Sequence, residues 1–165
     1  MRLARGVKAL ATASAVVLAA ATIPAVAVSQ NAPGSLSESV AAVVNDDVIS
    51  TYDVLQRMRL LMVMAGVQPT QENLPQLQAE ALRSLVDERL KMQELRRVER
   101  QQKFTIVATD QEVDAEIADV ARNNGVTAEQ LMSTLAAQGV GPETYRAQVR
   151  TQISWQNWIG GRYGS

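Results

Sequence analysis

The chain contains neither cysteine nor histidine, and these two absences exclude more chemistry than any residue present suggests. Without cysteine there is no disulfide to brace the fold and no thiolate nucleophile. Without histidine the commonest general base and the commonest metal ligand are both missing, which removes His-based triads and most zinc sites. No glycine-rich phosphate loop is present, so nothing points to nucleotide chemistry. There is no sustained heptad, no internal repeat and no βαβ alternation. The acidic residues Glu112, Asp114, Glu116 and Asp119 raise the question of a cation, but they point in several directions around one helix, as on a solvated face. The sequence thus offers no catalytic, metal-ligating or cofactor-binding residues, and enzymes pass this filter only with difficulty.

What is there begins with an address. Arg2, Arg5 and Lys8 form a basic start, an Ala/Val/Leu-rich stretch runs from Ala9 to Ile23, and Pro24 leads into Ala25-Val26-Ala27. This is the layout of a secretory signal peptide over residues 1–27 with a small-x-small cleavage site. The apolar run is short and interrupted by Thr12, Ser14 and Thr22, so an uncleaved anchor is disfavoured and no stable membrane insertion is expected. A bacterial lipoprotein anchor needs a cysteine at the cut, and the chain has none. All 17 acids but only 13 of the 16 bases lie beyond Ala27, leaving a net charge of −4 that disfavours nucleic acid and anionic lipid as partners. Residues 28–39 read as a flexible leader, and 40–165 as a single domain with one core.

Within that domain, Val40 to Val44 and Val48-Ile49 flank Asn45-Asp46-Asp47, which predicts a small β-hairpin. Ser50 follows as a helix N-cap with Asp53 in the first turn. Helical spacing then places Leu55, Met58, Met62 and Ala65 on one side, with Gly66 as the stop. A longer helix starts near Asn73-Leu74-Pro75 with the stripe Leu74, Leu77, Ala81 and Leu85; beyond Arg83 it is densely charged, as on a solvated face. Phe104-Thr105-Ile106-Val107 reads as an extended connector. Thr109 with Glu112, and Thr127 with Gln130, are capping-box signatures for two further helices, with stripes Val113, Ile117, Val120, Ala121 and Leu131, Leu135. Pro142 opens a last helix whose stripe is Tyr145, Val149, Ile153 and Ile159, with Trp155 at its edge. The expected fold is mainly α: a small bundle of about five helices with a short N-terminal β-hairpin.

The order of these elements is similar to a known family. Val43-Val44-Asn45-Asp46-Asp47-Val48-Ile49-Ser50 running into a helix, Leu85-Val86-Asp87-Glu88-Arg89-Leu90 in a long helix, Asn123-Asn124-Gly125-Val126-Thr127 between helices, and Tyr145-Arg146-Ala147-Gln148-Val149-Arg150 together resemble the N-terminal domain of the SurA family. The resemblance spans nearly all of residues 40–165. It implies a periplasmic chaperone of Gram-negative bacteria that escorts unfolded outer-membrane β-barrel proteins, or other extended apolar and aromatic segments, without ATP or any other cofactor. Full-length members of the family continue into parvulin-type prolyl isomerase modules that rely on histidines. This chain has no histidine and stops at Arg162-Tyr163-Gly164-Ser165, so isomerase activity is not expected of it.

Two candidate surfaces remain. Leu60, Val63, Met64 and Val67 fall on the side of their helix opposite the Leu55 and Met58 stripe, making that helix apolar on both sides. Either the helix is sandwiched in the core, or this face receives clients through methionines able to repack against varied segments. Trp158 falls away from the main stripe of the last helix; it either caps the bundle or stacks on aromatic client residues. The competing readings are a non-catalytic dimerising or scaffold domain, in which a second copy or a fixed partner satisfies the apolar excess, and a truncated fragment of a SurA-type prolyl isomerase.

Overall fold

The computed structural model describes residues 39–163. The expected signal peptide and the leader as far as Glu38 lie outside the described residues.

The first two elements are the strands β1 (Val40–Val44) and β2 (Asp47–Ser50), paired antiparallel with Val43 opposite Val48 and Val44 opposite Asp47. Asn45 takes the left-handed conformation that the tight turn demands, at φ 55°. Gln93 holds this turn from outside: its amide donates to the Val44 carbonyl at 2.9 Å and to Asp47 Oδ2 at 2.7 Å, and accepts from Asn45 Nδ2 at 2.7 Å. Alternation turns Val44 and Ile49 inward and leaves Val43 and Val48 exposed.

Helix α1 (Thr51–Ala65) starts at Ser50, whose hydroxyl accepts from the Asp53 N–H while Asp53 accepts from the Ser50 N–H. It ends at Gly66, at φ 64°, with the Val67 N–H reaching back to the Met62 carbonyl at 3.0 Å. Helix α2 (Leu74–Gln102) follows, then α3 (Asp110–Asn123), α4 (Ala128–Ala137) and α5 (Pro142–Tyr163). Both capping boxes expected at Thr109 and Thr127 form.

Helix α1 is the partition between two apolar clusters. On one side Val54 and Met58 pack with Val44, Ile49, Ala81 and Leu85 of the hairpin and α2. On the other, Leu60 packs with residues of α3, α4 and α5, among them Val113, Ile117, Leu135, Tyr145 and Val149. Polar bonds stitch the same boundary: Gln56 Oε1 accepts from the Gly141 N–H at 2.7 Å, and Arg59 donates to the Gly139 carbonyl at 2.9 Å.

Several stripe positions differ from expectation. Leu74 is exposed in the first turn of α2, and Ala65 is exposed as the last residue of α1, both at helix ends where fewer neighbours pack. Val120 and Ile159 are half-buried. Conversely, the charged half of α2 is not only a solvated face: Leu95 and Val98 are buried within it, and so is Glu88. Among the described residues no helix is long and apolar enough to cross a membrane.

Candidate binding surface

The four residues expected to share one face of α1 are not equally covered. Leu60 is 0% exposed and belongs to the core beside Val113 and Tyr145, which corrects its assignment to an open surface. Val63 is half-buried and packs against that cluster. One turn further on, Met64 is 59% exposed and Val67 39%. Val63 and Met64 are consecutive on α1 but lie about 100° apart around its axis, and only the Val63 flank meets the cluster; Val67 lies past the helix stop at Gly66.

Val63 and Val67 line a cavity of about 420 Å³ together with Met62, Pro69 and the ends of Thr134 and Gln138 from α4. Arg59 closes one side, its position fixed by the bond to Gly139. The result is an open recess at the end of α1 with apolar and polar groups in its wall.

Trp158 lies elsewhere. It is half-buried and packs against Trp155 with ring centroids 5.1 Å apart and planes tilted by 51°. The Arg162 guanidinium lies 5.7 Å from its ring centroid. Trp158 also lines a second cavity, of about 480 Å³, with Phe104, Ile106 and Glu112. Phe104 is 53% exposed. Read in the sequence only as part of a connector, this residue is the chain's one phenylalanine. Its place between two helices, with no stripe to join, was the available signal that the bundle would not cover it. The connector is held from below, where Glu99 Oε1 accepts from the Ile106 and Val107 N–H groups at 2.7 and 2.8 Å and Ser154 Oγ accepts from the Ala108 N–H at 2.8 Å.

Of the acidic residues of α3, all but Glu116 are held by partners. Asp114 accepts from Arg146 at 2.5 Å, Asp110 from Arg150, and Asp119 from Arg122. Glu112 closes the Thr109 capping box, and hydrogen bonds from the Thr109 backbone and hydroxyl hold its carboxyl below the usual carboxylate range. Among the described residues no group of acidic side chains has the arrangement of a metal site.

A five-helix bundle entered through a short hairpin, with α1 as its internal partition, defines the class: a small, mainly helical domain. The family model of the SurA N-terminal domain matches residues 37–157, and the chain belongs to that family. It is 34% identical over 119 residues to Chaperone SurA of Yersinia pestis bv. Antiqua (strain Antiqua), covering 70% of this chain and 26% of the relative. It is 35% identical over 159 residues to Chaperone SurA of Burkholderia lata, covering 93% of this chain and 32% of the relative. Chaperone SurA of Salmonella typhimurium is 34% identical over 116 residues, again covering 70% of this chain and 26% of the relative. The chain thus spans about a quarter to a third of the length of these curated relatives.

Proposed function

We propose that this chain is a periplasmic, ATP-independent holdase domain. It binds extended apolar and aromatic segments of unfolded outer-membrane β-barrel proteins and keeps them from aggregating. Membership of the SurA N-terminal domain family supports the chaperone class. The observation that supports the binding mode is that the exposed Val67 and Phe104 each line a concave recess, with the exposed Met64 close to Val67 in the chain. Binding of this kind is weak and tolerant of sequence, because an adaptable methionine and an aromatic edge accept side chains of varied shape. No cofactor and no catalytic residue enters the reading. Secretion follows from the signal-peptide pattern of residues 1–27.

The test is suppression of light scattering when a denatured β-barrel protein is diluted out of urea. Replacing Met64 and Val67 together with Ser should weaken suppression while leaving the thermal midpoint nearly unchanged. A folded variant with full activity would move the client surface away from α1.

A second reading has one observation in its favour. Leu82, Val86 and Leu90 form a partly exposed apolar ridge along α2, which a second copy of the chain could cover. Sedimentation across a range of concentrations separates the two: a scaffold dimerises and does not discriminate between buffer and client, whereas a holdase changes mass when client is added.

A further inference from the structure

A third concavity lies between α2 and α5, and its character is polar. It has a volume of about 290 Å³, with Ser84 and Glu88 on the α2 side, Gln148, Gln152 and Gln156 on the α5 side, and Arg57 of α1 beneath. Two of its lining residues carry buried polar atoms without a hydrogen-bond partner among the described residues: Arg57 Nε, a donor, and Gln148 Oε1, an acceptor. An unpaired buried polar atom costs free energy, and both residues that carry one line this cavity, so a ligand that supplied an acceptor and a donor would satisfy them once their side chains turned toward it.

The charges in the groove identify the ligand further. Arg57 is paired with Glu88 at 2.5 Å, and Lys91 with Asp87 at 2.7 Å. The two cations and two anions cancel locally, which leaves no field to draw in an ion. Neutral amides remain to do the recognising. Gln148, Gln152 and Gln156 recur every fourth residue, about 6 Å apart along a helix. An extended chain repeats every two residues, about 6.6 Å. Successive glutamines therefore keep step with successive main-chain groups on one edge of an extended segment, while the half-buried Trp155 of the same wall offers an apolar surface between them.

We infer that the groove between α2 and α5 binds the main chain of an extended polypeptide through the amide ladder Gln148, Gln152 and Gln156 and the Arg57 Nε–H. This rests on the chaperone reading above and deepens it. Main-chain recognition accounts for binding without regard to client sequence, whereas the apolar recesses supply only a preference for composition.

The experiment compares two fluorescein-labelled unstructured peptides with identical side chains, one of them N-methylated at alternate amides, by anisotropy against the purified chain. The expected result is that N-methylation weakens binding about ten-fold or more. Gln148→Leu combined with Gln152→Leu should weaken the unmethylated peptide by a similar factor and leave the methylated one unchanged. The thermal midpoint of Q148L should hold or rise, because the substitution removes an unpaired buried oxygen, so loss of binding will not reflect unfolding. Equal affinity for both peptides, or a folded double variant that binds as the parent does, overturns main-chain recognition while leaving holdase activity standing. If neither peptide binds and no client aggregation is suppressed, both readings fall.

Discussion

Arg57 and Glu88 form a buried ion pair across the α1–α2 contact, 2.5 Å long between Nη2 and Oε2, with side chains only 2% and 9% exposed. Arg57 Nη1 donates to Ser84 Oγ at 2.7 Å beside it. Removing one partner strands the other charge, so Glu88→Ala is expected to cost about 3 to 5 kcal/mol. Replacing both together, Arg57→Met with Glu88→Leu, should restore most of that loss, since two apolar side chains have no desolvation penalty to recover. Urea midpoints at constant slope measure both. A double variant as unstable as the single would show that the pair does more than cancel its own burial.

The division of α1 by depth makes a second pair of substitutions diverge. Leu60→Ala should destabilise by about 2 to 5 kcal/mol, because it opens a cavity among Val113, Tyr145 and Val149. Met64→Ser, one turn away on the same face, should fall within about 0.5 kcal/mol of the parent. Thermal or urea unfolding of the two variants decides it, and similar losses would mean that α1 is covered along its whole length.

Glu112 sets a pH dependence on α3. Its carboxyl is held below the ordinary value by hydrogen bonds from the Thr109 backbone and hydroxyl. A lowered folded-state value means that its contribution to stability is fully present above the unfolded value of about 4.3 and is lost as pH falls through the folded one. The stability difference between the parent and Glu112→Gln should accordingly be largest near neutrality and shrink in acid. A difference that stays constant from pH 7 to below about 3 would exclude the capping carboxylate as its source.

Two glycines should respond to alanine in opposite directions. Gly66 sits at φ 64° with nothing within 4 Å of where a Cβ would lie, so Gly66→Ala meets backbone strain alone and should cost about 1 to 2 kcal/mol. Gly160 lies within α5 with equally open surroundings, and Gly160→Ala should stabilise by up to about 1 kcal/mol. Thermal midpoints of the two variants, compared with the parent, check both signs.

Much of this architecture was legible in the sequence because its punctuation is local. Ser50, Thr109 and Thr127 announce helix starts through bonds made within one turn, and Gly66 ends α1 because only a left-handed residue closes the turn there. The hairpin was legible for the same reason, from Asn45 between two β-branched runs. What periodicity cannot supply is the reach of the neighbours. Leu60 and Met64 share a face in any helical projection, yet one is core and the other surface because α3 to α5 pack on Leu60 and the Val63 flank and leave Met64 uncovered. Glu88 reads as one charge among many until folding brings Arg57 against it from 31 residues away. The groove between α2 and α5 is assembled from parts of three helices and has no signature in any one of them.

The proposed holdase activity is read from light scattering of an unfolded outer-membrane β-barrel protein refolded from urea with the purified chain and no nucleotide. Suppression is expected at near-stoichiometric ratios, repeated with unrelated aromatic-rich clients and unaffected by ATP. A chain that is helical by circular dichroism, melts cooperatively and still leaves scattering unchanged at several-fold excess would contradict it.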